Sequence, residues 1–365
     1  MRIGVEARWF FDGPPSGRRV VRSIVSGLAN AAAGDEVHVF LDERARSSPL
    51  PSGIAPERCH YVRGGNGLLT NVFAVPRAAD RLKLDVVIYQ NFVPPRAAAR
   101  HARVAYVHGV IFDSHPEFFT ARQRLYFSPL RALAAGADRV CTGTNSESAR
   151  LVRLRYANAD RIDVTPPPVD TIFLSGRDAS RGCATRLPAR FVLFVGRLNA
   201  RNNVATLVRA MAHVRDREIA LVIVGQRDAT SADITGIARA AGVADRVHIM
   251  GAVPDKALRA VYAHATVFCF PSLDDGFGMP PLEAMALGAP VIASRIPAVV
   301  ESCGDAAMYV EPRDERAFAA AIDSLATDQP RRDAQRAAGF QRAGMYTAER
   351  FTRGVLASVR AAAHR

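Results

Sequence analysis

Lysine is nearly missing from this chain of 365 residues: only Lys83 and Lys256 occur. A reaction that runs through a lysine Schiff base, as in pyridoxal-dependent phosphorylases, therefore has two candidates, and neither sits in a pocket motif. Cysteine is sparse too. Cys59, Cys141, Cys183, Cys269 and Cys303 are scattered with no CxxC pair. That spacing argues against a disulfide framework or a zinc site and for a reducing compartment. No apolar run is long enough to span a bilayer, and the opening "MRIGVEARWFFDG" lacks a signal-peptide core. The expected location is the cytoplasm. No GxGxxG occurs, and the nearest stretch, "GGNG" at 64–67, is not completed. A dinucleotide-dependent dehydrogenase is disfavoured on that ground. Asp274-Asp275 is not an Asp-x-Asp pair and no His/Asp cluster stands out, so no essential metal is expected.

Arginine carries almost all of the net charge of +13, and the excess is spread over both halves. Such a surface can attract phosphorylated substrates or the anionic inner face of a membrane, where peripheral contact is the expected form of association. Basic residues are not interleaved with aromatics in a reader motif, so nucleic acid is not an expected partner. Hydrophobic content of 49% and charged content of 23% fit a soluble globular chain, and the length allows about two domains.

Short apolar runs recur in two series. "RIGVEA", "EVHVF", "DVVIYQ", "RVAYVH" and "DRVCTG" form the first; "RFVLFVG", "IALVIVG", "RVHIMG", "ATVFCF" and "APVIAS" form the second. Helical stretches such as 204–214 and 255–264 separate them. Continuous apolar strands alternating with helices imply βαβ units and buried parallel sheets. "TPPPVD" at 165–170, followed by a polar, arginine-rich segment to Pro188, divides the series. The fold class is α/β, with two Rossmann-like domains facing across a cleft: 1–168, and 169–345, with a last helix at 346–363 returning to the first.

Ligands of such sheets bind at the carboxyl ends of strands. Three stretches stand there. "LFVGRLNARNNVATLV" leaves a strand through Gly196 and enters a helix near Asn203, with Arg197 at the strand end and Arg201 nearby. A guanidinium so placed can grip phosphate in a bidentate way, although a solvated loop could also hold arginines. "DDGFGMPPLEAMALG" at 274–288 puts a bare Gly276–Gly278 loop before a helix starting near Pro280 and stopping at Gly288. Free N–H groups and a positive dipole end favour phosphate there. Asp275 and Glu283 would repel phosphate, which suits them to hydroxyls and points to a nucleotide sugar. An ordinary Gly/Pro turn before an amphipathic helix fits this segment alone equally well. In "VAYVHGVIFDSHPEFF", His108 ends a strand and can be structural or catalytic, while His115 before Pro116 reads as turn chemistry.

Taken together, these stretches resemble family 4 of the retaining glycosyltransferases, which have the GT-B fold. The likeness is strongest in "VGRLNARNN", in the segment from Phe270 to Ser294 and in "PAVVESCGDAAMYVEP". The resemblance implies that Arg197 neutralises the donor diphosphate and that Glu283 holds the nucleotide ribose. Asp275 takes the place of the first glutamate of the Glu-x7-Glu motif, near the transferred sugar. Gly276, Phe277, Gly278 and Met279 would offer backbone N–H groups to sugar and phosphate, and His108 would touch the sugar near the reaction centre. The basic residue usual five positions after Arg197 is here Asn202, with Arg201 beside it as the compensating cation. "GFGMPPLEAMA" is most similar to bacterial mannosyltransferases that use GDP-mannose. The implied activity is retaining transfer of a hexose to a saccharide or lipid-linked glycan in surface polysaccharide synthesis. The nucleotide sugar is a co-substrate, and no other cofactor is implied. The departures at Asp275, Asn202 and Gly109 also admit a degenerate transferase that binds nucleotide or a partner enzyme without turnover.

Overall fold

The computed structural model describes residues 1–31, 34–63, 65–174, 187–228 and 230–364. Cys183, Gly64 of "GGNG" and most of the segment between Asp170 and Pro188 lie outside the described residues. The chain divides into two units: Met1–Ser114 with Ala121–Pro168 and Tyr346–Arg365, and His115–Thr120 with Val169–Met345.

The first unit holds a parallel sheet of seven strands: β1 (Arg2–Glu6), β2 (Glu36–Asp42), β3 (Cys59–Val62), β4 (Val86–Gln90), β5 (Ala102–Tyr106), β6 (Arg139–Thr142) and β7 (Ile162–Val164). Their spatial order is β3-β2-β1-β4-β5-β6-β7. The second unit holds β8 (Phe191–Val195), β9 (Ala220–Val224), β10 (Val247–Gly251), β11 (Val267–Phe270), β12 (Val291–Ser294) and β13 (Ala307–Val310), in the order β10-β9-β8-β11-β12-β13. All eleven pairings along the two sheets are parallel. Strands such as Val86–Gln90 and Ala220–Val224 are buried along their whole length, as expected where helices cover both faces.

Each sheet reverses its strand order once. In the first the reversal falls between β1 and β4, in the second between β8 and β11. The crevice outside the strand ends at such a point is where these folds take ligands. The loops of residues 196–203 and 271–278 leave β8 and β11 at the second of these points.

The helix Ala348–Ala363 belongs to the first unit. Its buried residues Phe351, Val355 and Val359 face the sheet, Phe351 lies edge-on to Tyr106 at 6.0 Å, and Ser358 donates to Asp163 at 2.7 Å. It crosses the helix Pro15–Ala31 at Gly27, where a Cβ would fall 2.0 Å from Thr352 Oγ1. That hydroxyl is already fixed by its bond to the Ala348 carbonyl at 2.8 Å. Overpacking costs about 1–3 kcal/mol, more than the helix propensity alanine gains over glycine. Gly27→Ala is therefore expected to lower the urea unfolding midpoint, and Gly27→Ala/Thr352→Ala to recover part of the loss. An unchanged midpoint in the single variant would mean that the crossing has slack.

Candidate active site

The loop after β8 is held by its own amides. Asn202, only 4% exposed, donates from Nδ2 to the Arg197 carbonyl at 2.7 Å, and its N–H reaches Asn199 Oδ1 at 3.0 Å. Asn203 adopts a left-handed conformation (φ 53°) and donates to the carbonyls of Pro271 and Pro312 at 3.0 and 2.6 Å. Asparagine tolerates that conformation better than most residues, and its amide here ties the β8 loop to the ends of β11 and β13. The helix Val204–Ala210 follows directly.

The two loops are laced together. Leu273 N–H donates to the Arg201 carbonyl at 2.8 Å. Arg201 Nη1 donates to the Asp274 carbonyl at 2.8 Å and to Asp275 Oδ2 at 2.9 Å. The other carboxylate oxygen of Asp275 accepts from the N–H groups of Phe277 and Gly278, at 3.1 and 3.3 Å. This is the turn that a short acidic side chain makes with its own backbone two and three residues on. Gly278 follows at φ 89°, and a Cβ there would press on Val299 and Ser302 at 3.1 and 3.2 Å. The helix Met279–Ala286 then starts one residue before the expected Pro280, and Gly288 closes it with an N–H bond to Met285 at 3.0 Å.

Four of the site expectations change in this light. Asn202 is a buried brace rather than a side chain turned to a donor, because its Nδ2 bonds the Arg197 carbonyl and its Oδ1 accepts from Ser272 Oγ at 3.5 Å on the second loop. Arg201 is committed to Asp275, so it does not stand as a spare cation. The N–H groups of Phe277 and Gly278 are taken by Asp275, whose side chain is the right length to cap them. Glu283 is 1% exposed and accepts from the Tyr262 hydroxyl at 2.9 Å, a bond that fixes a buried carboxylate. The side chains of Phe277 and Met279 are buried, at 8% and 7% exposure.

Arg197 differs from its neighbours. Its side chain is exposed, and among the described residues it has no ion-pair partner; only its carbonyl is engaged. A cavity of about 730 Å3 adjoins Leu273 within the second unit, bounded by His115, Glu117, His213, Arg313 and Glu315 among others. His115, read as a turn residue, bonds Glu117 at 3.0 Å and comes within 3.7 Å of Asp274 Oδ2.

In the first unit, His108 follows β5, one strand past the sheet's own reversal. Its Nε2 donates to Gln90 Oε1 at 2.8 Å, its N–H reaches Asn91 Oδ1 at 3.2 Å, and Trp9 and Tyr106 flank the ring at 5.2 and 5.1 Å. Burial pushes the His108 pKa down to about 4, so the ring is neutral near pH 7 and Nδ1 is an acceptor. Behind Gln90 lies Glu6, 1% exposed, whose carboxylate accepts from Arg8, Asn71 and the Gln90 N–H. Glu6, Arg8, Asn71, Gln90 and Tyr262 were not singled out in the sequence. Only the acidic end of "RIGVE", a carboxylate closing an otherwise apolar strand, could have flagged one of them.

Lys83 and Lys256 are both exposed. Among the described residues no three His, Cys, Asp or Glu side chains are grouped to hold a metal ion, and no helix is long and apolar enough to cross a membrane.

Residues 17–173 match the family model described as Glycosyltransferase Family 4, and residues 189–328 match Glycosyl transferases group 1. A D-inositol 3-phosphate glycosyltransferase of Stackebrandtia nassauensis is 32% identical over 230 residues, 59% of this chain and 52% of the relative. One from Nocardia farcinica is 33% identical over 251 residues, 64% of this chain and 54% of the relative. The chain thus spans about half the length of these curated relatives. Among solved structures, a sucrose-phosphate synthase from Thermosynechococcus elongatus superposes with a TM-score of 0.80 at 21% identity, covering 99% of this chain and 98% of that one. Anabaena HepE, solved with UDP and glucose, gives 0.77 at 16% identity, covering 99% of each chain. The two parallel sheets and these superpositions are those of the GT-B fold, and both halves of the chain carry the sequence marks of the glycosyltransferase families.

Proposed function

We propose that the chain is a nucleotide-sugar-dependent hexosyltransferase that retains anomeric configuration. The observation that carries this reading is Arg197: an exposed guanidinium without an ion pair, at the end of β8 and at the point where the strand order reverses. A donor diphosphate gains charge as the sugar–phosphate bond loosens, and a preorganised cation stabilises that charge selectively. Glu283 is assigned to the donor's ribose hydroxyls on the family resemblance, the ribose then meeting a carboxylate that the Tyr262 hydroxyl already holds. Asp275 and the neutral His108 serve the transferred sugar. GDP-mannose is the proposed donor, on the likeness of "GFGMPPLEAMA" to bacterial mannosyltransferases. The acceptor class is a saccharide or lipid-linked glycan of surface polysaccharide, with no metal taking part.

The capping of Phe277 and Gly278 by Asp275 favours a second reading, a degenerate transferase that binds nucleotide without turnover. One experiment separates the two. The chain is incubated with GDP-mannose or UDP-glucose and simple acceptors, with and without EDTA, and products are followed by NMR. Transfer or slow donor hydrolysis that survives EDTA, with an α-linked product, is the expected result. Donor binding with no turnover of either donor would give the site to the degenerate reading. No thermal stabilisation by any nucleotide would remove both, because a ligand of the folded state must raise its stability.

A further inference from the structure

The first unit carries a surface that the transfer reaction does not use. The helical run of residues 67–81 and the helix Ala121–Phe127 meet where Gly67 abuts the Tyr126 hydroxyl: a Cβ on Gly67 would lie 2.7 Å from it. On the inner side of this contact Tyr126 packs edge-on to Phe92 and Phe127, at 5.3 and 5.0 Å. On the outer side three large apolar side chains stay in water: Leu69 is 55% exposed, Phe73 47% and Leu125 75%. Leu69 and Phe73 are four residues apart, hence on one helix face.

Arginine surrounds them. Arg63, Arg77, Arg122 and Arg124 are exposed, and none has an ion pair among the described residues. Arg77 lies over the Phe73 ring at 5.7 Å. The stretches 58–79 and 121–137 contain no aspartate or glutamate. Isolated apolar residues on a surface need no explanation, but here three stand on adjoining helices with a one-signed rim.

We propose that this face docks the chain onto an anionic lipid bilayer, with Leu69, Phe73 and Leu125 entering the headgroup–acyl boundary and the four arginines meeting lipid phosphates. The pairing of apolar tips with uncompensated basic charge is what an interfacial helix presents. A nucleic acid would satisfy the arginines and leave the apolar tips in water. A second copy meeting this face symmetrically would bring two arginine rims together.

The test is sedimentation of the full chain with vesicles of phosphatidylcholine alone or mixed equally with phosphatidylglycerol, at about 0.1 M salt, where the Debye length is ~10 Å. Binding is expected to the mixed vesicles and to fall several-fold as salt is raised. Leu69→Ser/Phe73→Ser/Leu125→Ser should weaken it, as should Arg122→Gln/Arg124→Gln, each by about fivefold or more. Both variants should melt with the parent and keep its nucleotide affinity. Equal binding to the two kinds of vesicle, no binding, or an unaffected triple variant would each overturn the proposal. So would a concentration-dependent dimer that the triple variant abolishes, since the face would then belong to a second copy.

Discussion

Arg197→Ala is expected to raise the dissociation constant for GDP by about 10- to 150-fold. Hydrogen bonds to charged groups contribute about 1.5–3 kcal/mol, and every 1.4 kcal/mol is a factor of ten. The upper part of that range is reachable because nothing nearby substitutes for the lost charge. Arg201, four residues on, already bonds Asp275 at 2.9 Å. Fold stability should barely change, because the β8 loop uses the Arg197 carbonyl and not its side chain. Calorimetric titration with GDP, paired with a nucleotide-free thermal melt, reads both quantities. Unchanged affinity would take Arg197 out of the donor site. A lost fold would show instead that the guanidinium has a structural partner.

The second large effect is a dependence of stability on acid. An unfolded histidine takes up a proton near pH 6.5, whereas His108 in the fold resists it until about 4. Between those values the unfolded chain binds more protons, so stability falls as the pH is lowered through that window and the loss levels off below it. The shift corresponds to about 3 kcal/mol for this one group. His38, His60 and His101 are also held below the ordinary histidine value, chiefly by burial, so the whole acid slope is steeper than His108 alone would make it. Subtracting a His108→Gln variant isolates its share. Urea unfolding at pH 7 and at about pH 4.5 should show the parent losing more stability than the variant. Parallel losses would mean that the imidazole is more hydrated than its packing against Trp9 and Tyr106 suggests.

What could be read from the sequence tracks the length of each apolar run: even the edge strand β10, exposed along its middle, was legible as "RVHIMG". The central strands were visible as continuous apolar runs because helices cover both their faces. The three strands that were missed, Cys59–Val62, Ile162–Val164 and Ala307–Val310, all lie at sheet edges. Each is only three or four residues long and none is buried throughout, so none makes an apolar run long enough to stand out. The loops at the second strand reversal were legible because glycine, proline and arginine punctuate them. What their side chains do was not. Asn202 looked like a missing charge, and only its 2.7 Å bond to a backbone carbonyl shows it as a brace. Asp275 looked like a shortened glutamate, yet its length is what lets it cap two N–H groups of its own loop. Partners drawn from distant positions, such as Tyr262 for Glu283 or Gln90 for His108, leave no local pattern to find.

The helix Ala348–Ala363 has a consequence for how the molecule is made. A chain emerging from the ribosome presents β1 to β7 first, but their sheet stays uncovered at Tyr106 and Val164's neighbours until residues beyond 348 have been synthesised. The second unit, contiguous apart from one short loop, has no such wait. Maturation therefore runs against the order of synthesis: the second unit has all its residues before the first one does, and the first sheet waits with one part of its face uncovered until the last helix is made.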